Sequence, residues 1–281
     1  MAEPTEKEIS VPSPGKAAIP VLLTFPPEGV KHSGFALLLG PGAGGDEKTA
    51  LLTAVANEVA RQGHFCARYR AKVPNLVAGT VAAQLLAGGA TESEPVSAKK
   101  APATKGKKAA AAAPAKKAAS STTTSNDSDF PTDFIPGLVL FSYPLHTADN
   151  TKALRDQILL DIPSTTATLF VSGLKDNMCQ PSIFAKVFKE MKSTPREVVQ
   201  VTDADHGLGF GSSKPGQAKK EALAETISEW TVAFMDEAIA QKGGEEGGNG
   251  KKKAATGMAI KKKAELKKEA DEWTVAVSTV A

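Results

Sequence analysis

The sequence predicts an α/β fold, a mostly parallel sheet flanked by helices. Three observations carry this. Short apolar runs alternate along the chain with stretches of helical apolar spacing. The run Phe35 to Leu39 is apolar at every position, as in a strand buried on both faces. And the order from 35 to 70 is strand, Gly-rich turn, helix, strand, which reads as a βαβ unit.

Each element has its own signal. Glu8 to Pro12 and Ala17 to Phe25 are short apolar-rich strands followed by Pro-Gly and Pro-Pro-Glu-Gly turns. After Phe35–Leu39 comes Gly40-Pro-Gly-Ala-Gly-Gly-Asp46, and Asp46 suits a helix N-cap. From Lys48 to Arg61, Leu51, Leu52, Val55, Ala56, Val59 and Ala60 fall on one helical face, and Gly63 stops the helix. Phe65 to Arg70 is the next strand. Leu76 to Leu86 reads as a short helix before Gly88-Gly89. Gly137 to Tyr143, Ala167 to Ser172 and Glu197 to Thr202 are further strands, with a short helix or turn at 153–160. Ile183, Phe184, Val187, Phe188 and Met191 give 181–191 an apolar helical face. Lys219 to Ala238 is a long amphipathic helix.

Composition divides the chain. Residues 91–133 are Ala, Lys, Ser, Thr and Pro with almost no large apolar side chain before Phe130. Such a segment buries too little surface to offset its ordering entropy, so it is expected to be a disordered Lys/Ala-rich insertion. The expected organisation is one domain over 1–242, interrupted there, then a Gly linker and a basic tail over 243–281. The tail repeats a pentapeptide: Glu229-Trp-Thr-Val-Ala233 recurs as Glu272-Trp-Thr-Val-Ala276, and the two copies hold both tryptophans. The tail is accordingly expected to be helical, either as a duplicate of the terminal helix or by chance likeness between Ala-rich helices.

Charge and cysteine content exclude several classes. The net charge is +3, but residues 97–120 hold seven lysines and no acid, and 241–281 holds nine lysines against six acids. The rest of the chain therefore carries about −7, which is not the charge of a basic DNA-binding fold. Nucleic-acid contact is confined to the Lys99–Lys117 stretch, and the other partner expectation is a protein. No run of eighteen apolar residues spans a membrane. The polar, acidic start lacks the apolar core of a signal peptide. Two cysteines suit reduced thiols, so the expected location is cytoplasmic or nuclear. Neither has zinc-ligand spacing, and no metal or organic cofactor is implied.

Open parallel sheets carry their chemistry at the carboxyl ends of strands. Three loops there are chemically loaded. Gly40–Asp46 has glycines and free N–H groups ahead of a helix, suited to an oxyanion or phosphate, or to a plain tight turn. Asp176 follows one strand and His206 the next, the order in which an acid orients an imidazole base. His32, His64 and His146 lie in turns, and Cys66 and Cys179 read as small buried side chains rather than nucleophiles.

These strings together resemble a known family. Gly40–Asp46, Phe65-Cys-Ala-Arg-Tyr-Arg70, Ser142-Tyr-Pro-Leu-His146, Leu154-Arg-Asp156, Val171-Ser-Gly-Leu-Lys-Asp-Asn-Met-Cys179 and Asp203-Ala-Asp-His206 are similar to the alpha/beta-hydrolase-like family. Within it they resemble the dienelactone-hydrolase-like branch of testis-expressed protein 30 and regulatory subunit 3 of the NSL histone-acetyltransferase complex. The resemblance covers roughly 30–90 and 135–240. It implies Asp176 as triad acid, His206 as triad base, and Gly42, Ala43 and Gly44 as the oxyanion-side loop.

The chain departs from the pattern at its centre. Such hydrolases carry their nucleophile on a Gly-x-Ser-x-Gly turn between a strand and a helix. That motif occurs nowhere in this sequence. After Leu76 the chain passes straight to Val77 and an Ala-rich stretch like the helix that should follow the elbow. The elbow strand, expected between the strands at 35–39 and 137–143, is missing. Those two strands must then pair directly or leave backbone groups unsatisfied, with exposed edges and aggregation as the cost. Ser142, Ser172, Ser212 and Ser213 do not sit on an elbow. The leading expectation is a hydrolase-fold module without a nucleophile, catalytically inactive, with an interaction or regulatory role. The alternatives are a serine hydrolase of a small ester or amide, if the sequence is an incomplete gene model, and chromatin or nucleic-acid association through the lysine segment.

Overall fold

The computed structural model describes residues 2–11, 18–33, 35–40, 46–69, 135–243, 259–269 and 272–279. The expected helix at 76–86, the Lys/Ala-rich segment and the oxyanion-side residues Gly42, Ala43 and Gly44 lie outside the described residues.

Nine strands form one sheet. In chain order they are β1 (Thr5–Val11), β2 (Ile19–Phe25), β3 (Phe35–Gly40), β4 (Phe65–Tyr69), β5 (Ile135–Phe141), β6 (Ala167–Gly173), β7 (Arg196–Val201), β8 (Ala259–Glu269) and β9 (Glu272–Thr279). Four described helices accompany them: α1 (Ala50–Arg61), α2 (Gln157–Leu160), α3 (Pro181–Glu190) and α4 (Lys214–Gly243). The spatial order is β1-β2-β4-β3-β5-β6-β7-β8-β9. The run β4-β3-β5-β6-β7-β8 is parallel throughout, with β1, β2 and β9 antiparallel at its ends.

Strand alternation sorts the apolar residues onto two faces. Leu37, Leu39, Val139, Phe141, Leu169, Val171, Val199 and Val201 join Leu52, Val55, Val59, Leu223, Ile227 and Met235 beneath α1 and α4. Leu38, Leu138, Leu140, Phe170 and Val198 face the other way, with Phe184, Val187 and Phe188 of α3. The helical periodicities at 51–60 and 183–191 thus point to the core: Leu52, Val55, Ala56, Val59, Ala60, Phe184, Val187 and Phe188 are buried, while Leu51 and Ile183 pack at its margin. Asp46 is not the N-cap of α1. That position falls to Thr49, three residues later. Asp46 instead closes the preceding turn, its Oδ1 accepting from the Lys48 N–H at 3.0 Å and its carbonyl from the Thr49 hydroxyl at 2.8 Å.

The absent elbow strand leaves no gap. β3 pairs directly with β5 over Phe35↔Ile135 to Gly40↔Leu140. The side chains fit this seam. A Cβ on Gly137 would stand 2.2 Å from the Phe35 ring, so the ring lies across a glycine where any larger residue would collide. The two neighbours therefore satisfy each other's backbone, and the expected exposed edges do not arise there.

The tail departs from the expectation. Its described residues are not helical: β8 and β9 pair antiparallel and extend the sheet beyond β7. Lys262 reaches the buried carboxylate of Glu197 on β7 at 2.8 Å. The Ala264 carbonyl accepts from the Thr202 N–H at 2.8 Å. Strand pairing against β7, together with that ion pair, decides the conformation of a lysine-rich run whose local propensity is weak.

Candidate functional site

The Asp and His loops leave the sheet at adjacent strand ends. β6 ends at Gly173 and β7 at Val201. The loops are sewn together by backbone bonds: Leu174 N–H to the Val201 carbonyl at 2.9 Å and Lys175 N–H to the Ala204 carbonyl at 3.0 Å. Lys175 and Asp203 add an exposed ion pair at 2.8 Å. Gly173 makes the approach feasible, since a Cβ there would stand 2.2 Å from the Ala204 carbonyl oxygen. Asp203 and Leu208 take left-handed φ of 63° and 53°. Asp205 braces the His loop, its Oδ1 accepting from the Gly207 and Gly209 N–H groups, both at 2.8 Å.

This geometry brings Asp176 and His206 together. The Nδ1 of His206 lies 2.8 Å from each carboxylate oxygen of Asp176. The Asp176 side chain is fully buried, and its Oδ1 also accepts from the Met178 N–H at 2.7 Å. A carboxylate so placed accepts the Nδ1–H and leaves the Nε2 lone pair of the imidazole as the basic position. That Nε2 is buried and has no hydrogen-bond partner among the described residues.

Ser142 proves less ordinary than its place at a strand end suggests. It follows β5 with φ at 46°, and β5 fills the place beside β3. Its Oγ is buried without a partner among the described residues, and the residue is 1% exposed. Ser172 is also buried, at the end of β6. Ser212 and Ser213 are exposed just before α4.

Two residues with no assigned role in the sequence brace the loops around the site. The Tyr143 hydroxyl donates to the Arg155 carbonyl at 2.6 Å. His146 is buried, its N–H donates to the Met178 carbonyl at 3.1 Å, and its Nε2 accepts from the Gln180 N–H at 3.2 Å. His146 thus holds the far side of the Asp176 loop, while Tyr143 ties the end of β5 to the 153–160 segment. The signal that could have found His146 is its apolar neighbourhood, which fits a satisfied buried imidazole. His64 is likewise buried, with Nδ1 2.6 Å from the Ser33 hydroxyl. Burial pushes the Cys66 and Cys179 thiols up to about 12, so neither is a ready nucleophile. Among the described residues, no three His, Cys, Asp or Glu side chains gather as a metal would need, and no helix is long and apolar enough to cross a membrane.

Strand order, crossover loops and the Asp–His arrangement define an α/β-hydrolase fold. Residues 115–236, less than half of the chain, match the family described as the alpha/beta hydrolase domain. Solved structures overlap it more loosely. A dienelactone hydrolase from Anabaena variabilis is 15% identical, with 82% of this chain and 98% of that chain covered at a TM-score of 0.44. Est1E from Butyrivibrio proteoclasticus is 11% identical, with 83% and 99% covered at 0.45. XC6422 from Xanthomonas campestris, described as an α/β serine hydrolase without lid, is 11% identical, with 81% and 93% covered at 0.43. The fold assignment rests on the strand order and the family match.

Proposed function

We propose that this protein is a hydrolase-fold module with an assembled acid–base pair and no engaged nucleophile, acting by binding rather than by ester hydrolysis. One observation carries the reading. His206 is oriented through Nδ1 by Asp176, yet its Nε2 meets no serine hydroxyl among the described residues. A general base with no hydroxyl to deprotonate forms no acyl-enzyme, and a triad without its nucleophile loses most of its acceleration. The direct β3–β5 seam supports this, because an elbow strand inserted there would have to part six residue pairs and displace Phe35 from Gly137. The resemblance to a subunit of a histone-acetyltransferase complex supports a protein partner, as an analogy of fold and motif. The Tyr-Pro-Leu-His and Asp-x-Met-Cys strings support the branch of testis-expressed protein 30.

A second reading is favoured by Ser142. Its left-handed φ and unpartnered Oγ, at the end of the strand beside β3, suit a substitute nucleophile for a small ester or amide. A fluorophosphonate probe on the full chain separates the two. The binding-module reading expects no serine adduct. An adduct on Ser142 that is lost in Ser142→Ala overturns it and selects the second reading. A transcript encoding a Gly-x-Ser-x-Gly turn between Leu76 and Val77 would overturn it as well.

A further inference from the structure

A groove of about 770 Å³ runs between α1 and α4, on the helical face away from the Tyr143–His146 brace. Its apolar lining is made of small and medium side chains, among them Ala50, Ala54, Leu51, Leu223 and Ala224. Its rim is acidic. Glu221, Glu225 and Glu229 recur every four residues along α4, so they stand on one helix face over about 12 Å. All three are exposed, and none forms an ion pair with a described residue. Glu58 lies across from them, but it is engaged by Arg61 at 3.5 Å. Arg61 is itself held by Glu3 at 3.0 Å. Three adjacent like charges repel one another on a helix face, and the groove's own cations, Arg61 and Lys220, are fewer than its four glutamates.

We propose that this groove docks the chain's own Lys/Ala-rich segment, residues 99–117. Charge and size both match. Between Lys99 and Lys117 the chain carries seven lysines and no acid, and its other residues are Ala, Pro, Thr and Gly. Alanines fit against a lining of alanine and leucine, while lysine stems lie along the walls with their ammonium groups at the glutamate rim. The tether is long enough. Thirty-seven residues separate Tyr69 from Lys107, and such a length reaches as far as about 120 Å when extended. Being in the same chain also gives the segment an effective concentration that no free basic peptide shares. This docking is independent of whether His206 has a nucleophile to serve.

Zero-length carbodiimide coupling of the full chain, read by mass spectrometry, tests the proposal. Lys175–Asp203 and Lys262–Glu197, both at 2.8 Å, are internal controls that must couple. The expected result is amide links from Lys99–Lys117 to Glu221, Glu225 or Glu229 within the monomer band. Control links without these overturn the proposal. So do such links confined to a concentration-dependent dimer, which would assign the groove to a second copy. A second measurement uses Glu221→Gln, Glu225→Gln and Glu229→Gln together. Tryptic cleavage after Lys105, Lys108 and Lys117 should accelerate about threefold or more, the sum of three modest surface pairs. Raised salt should accelerate it in the parent chain too. An unchanged rate overturns the proposal.

Discussion

The same five residues, Glu-Trp-Thr-Val-Ala, are helix at 229–233 and strand at 272–276. Local propensity is identical in the two copies, so the difference belongs to context. In α4 the pentapeptide lies inside thirty helical residues. Thr231 is fully buried there, with its hydroxyl donating to the Ile227 carbonyl at 2.8 Å, and Ile227, Phe234, Met235 and Ala238 are buried around it. Trp230 packs at the margin of that core. In β9 the pentapeptide follows a two-residue connection and pairs with β8, from Glu269↔Glu272 onward, Trp273 standing opposite Lys268 and Ala276 opposite Glu265. Helix is stabilised here by burial along one face, strand by a waiting ladder. Propensity is a weak prior beside either.

Proline is the sharpest way to break this comparison. Thr231→Pro removes an intrahelical bond and drives the ring into the preceding turn, costing about 3 kcal/mol or more. Because α4 shares one face of the sheet with α1 and buries Leu223, Ile227 and Met235 there, the loss should appear as global unfolding in a urea titration. Thr274→Pro costs at most one ladder bond and should loosen only the hairpin. Equal losses of denaturation midpoint in the two variants would show that β9 belongs to the cooperative core.

Lys262 ties the strand copy to the sheet. Lys262→Ala leaves the Glu197 carboxylate, 3% exposed, without its ion-pair partner. Lys262 is itself about a third exposed, so the expected cost is discounted to about 1–3 kcal/mol. Hydrogen exchange should quicken in β8 and β9 with α4 unchanged. Quickening in α4 would mean that the hairpin supports the helix.

Acid should act on the helical copy. His64 lies beneath α4, 3.7 Å from Asp236. Burial holds its pKa below the usual 6.5, against the opposing pull of Asp236. The folded state then binds fewer protons than the unfolded one. Stability is fully present above pH 6.5 and is lost as pH falls from 6.5 toward the lowered folded-state value. Urea midpoints at pH 7.5, 6.5 and 5.5 should fall in that order, and His64→Gln should flatten the fall. A parent chain insensitive over this range would remove His64 as the cause.

The smallest effect sharpens the comparison without disturbing it. Each copy holds one tryptophan, so Trp230→Phe and Trp273→Phe leave single reporters. Trp230 should report the global urea transition, and Trp273 an earlier one if the hairpin opens as its own unit. Coincident transitions would join the two into a single cooperative unit.

The pairing of Asp176 with His206 was legible in the sequence as a candidate. Asp176 and His206 announce themselves because strands end just before them and no apolar pattern explains them. What holds them was not legible. Gly173 looks like a turn residue until the Ala204 carbonyl is seen 2.2 Å from its absent Cβ. Nor does the sequence mark Asp205, whose carboxylate accepts from the Gly207 and Gly209 N–H groups and braces the His206 loop. Ser142 reads as a strand residue, and its left-handed backbone belongs to the path of the chain after β5.

The division has a physical cause. Periodicity reports which face of an element avoids water, so the helices at 50–61 and 181–190 and the buried strands could be read from residues three, four or two apart. Missing motifs are equally local, and the lack of a Gly-x-Ser-x-Gly string is a property of the sequence alone. Pairing between distant segments has no local signature. That β3 meets β5 across ninety-four intervening residues, that a lysine-rich tail becomes the eighth and ninth strands, and that one pentapeptide takes two conformations were decided by which backbone groups and apolar faces found partners in the assembled sheet.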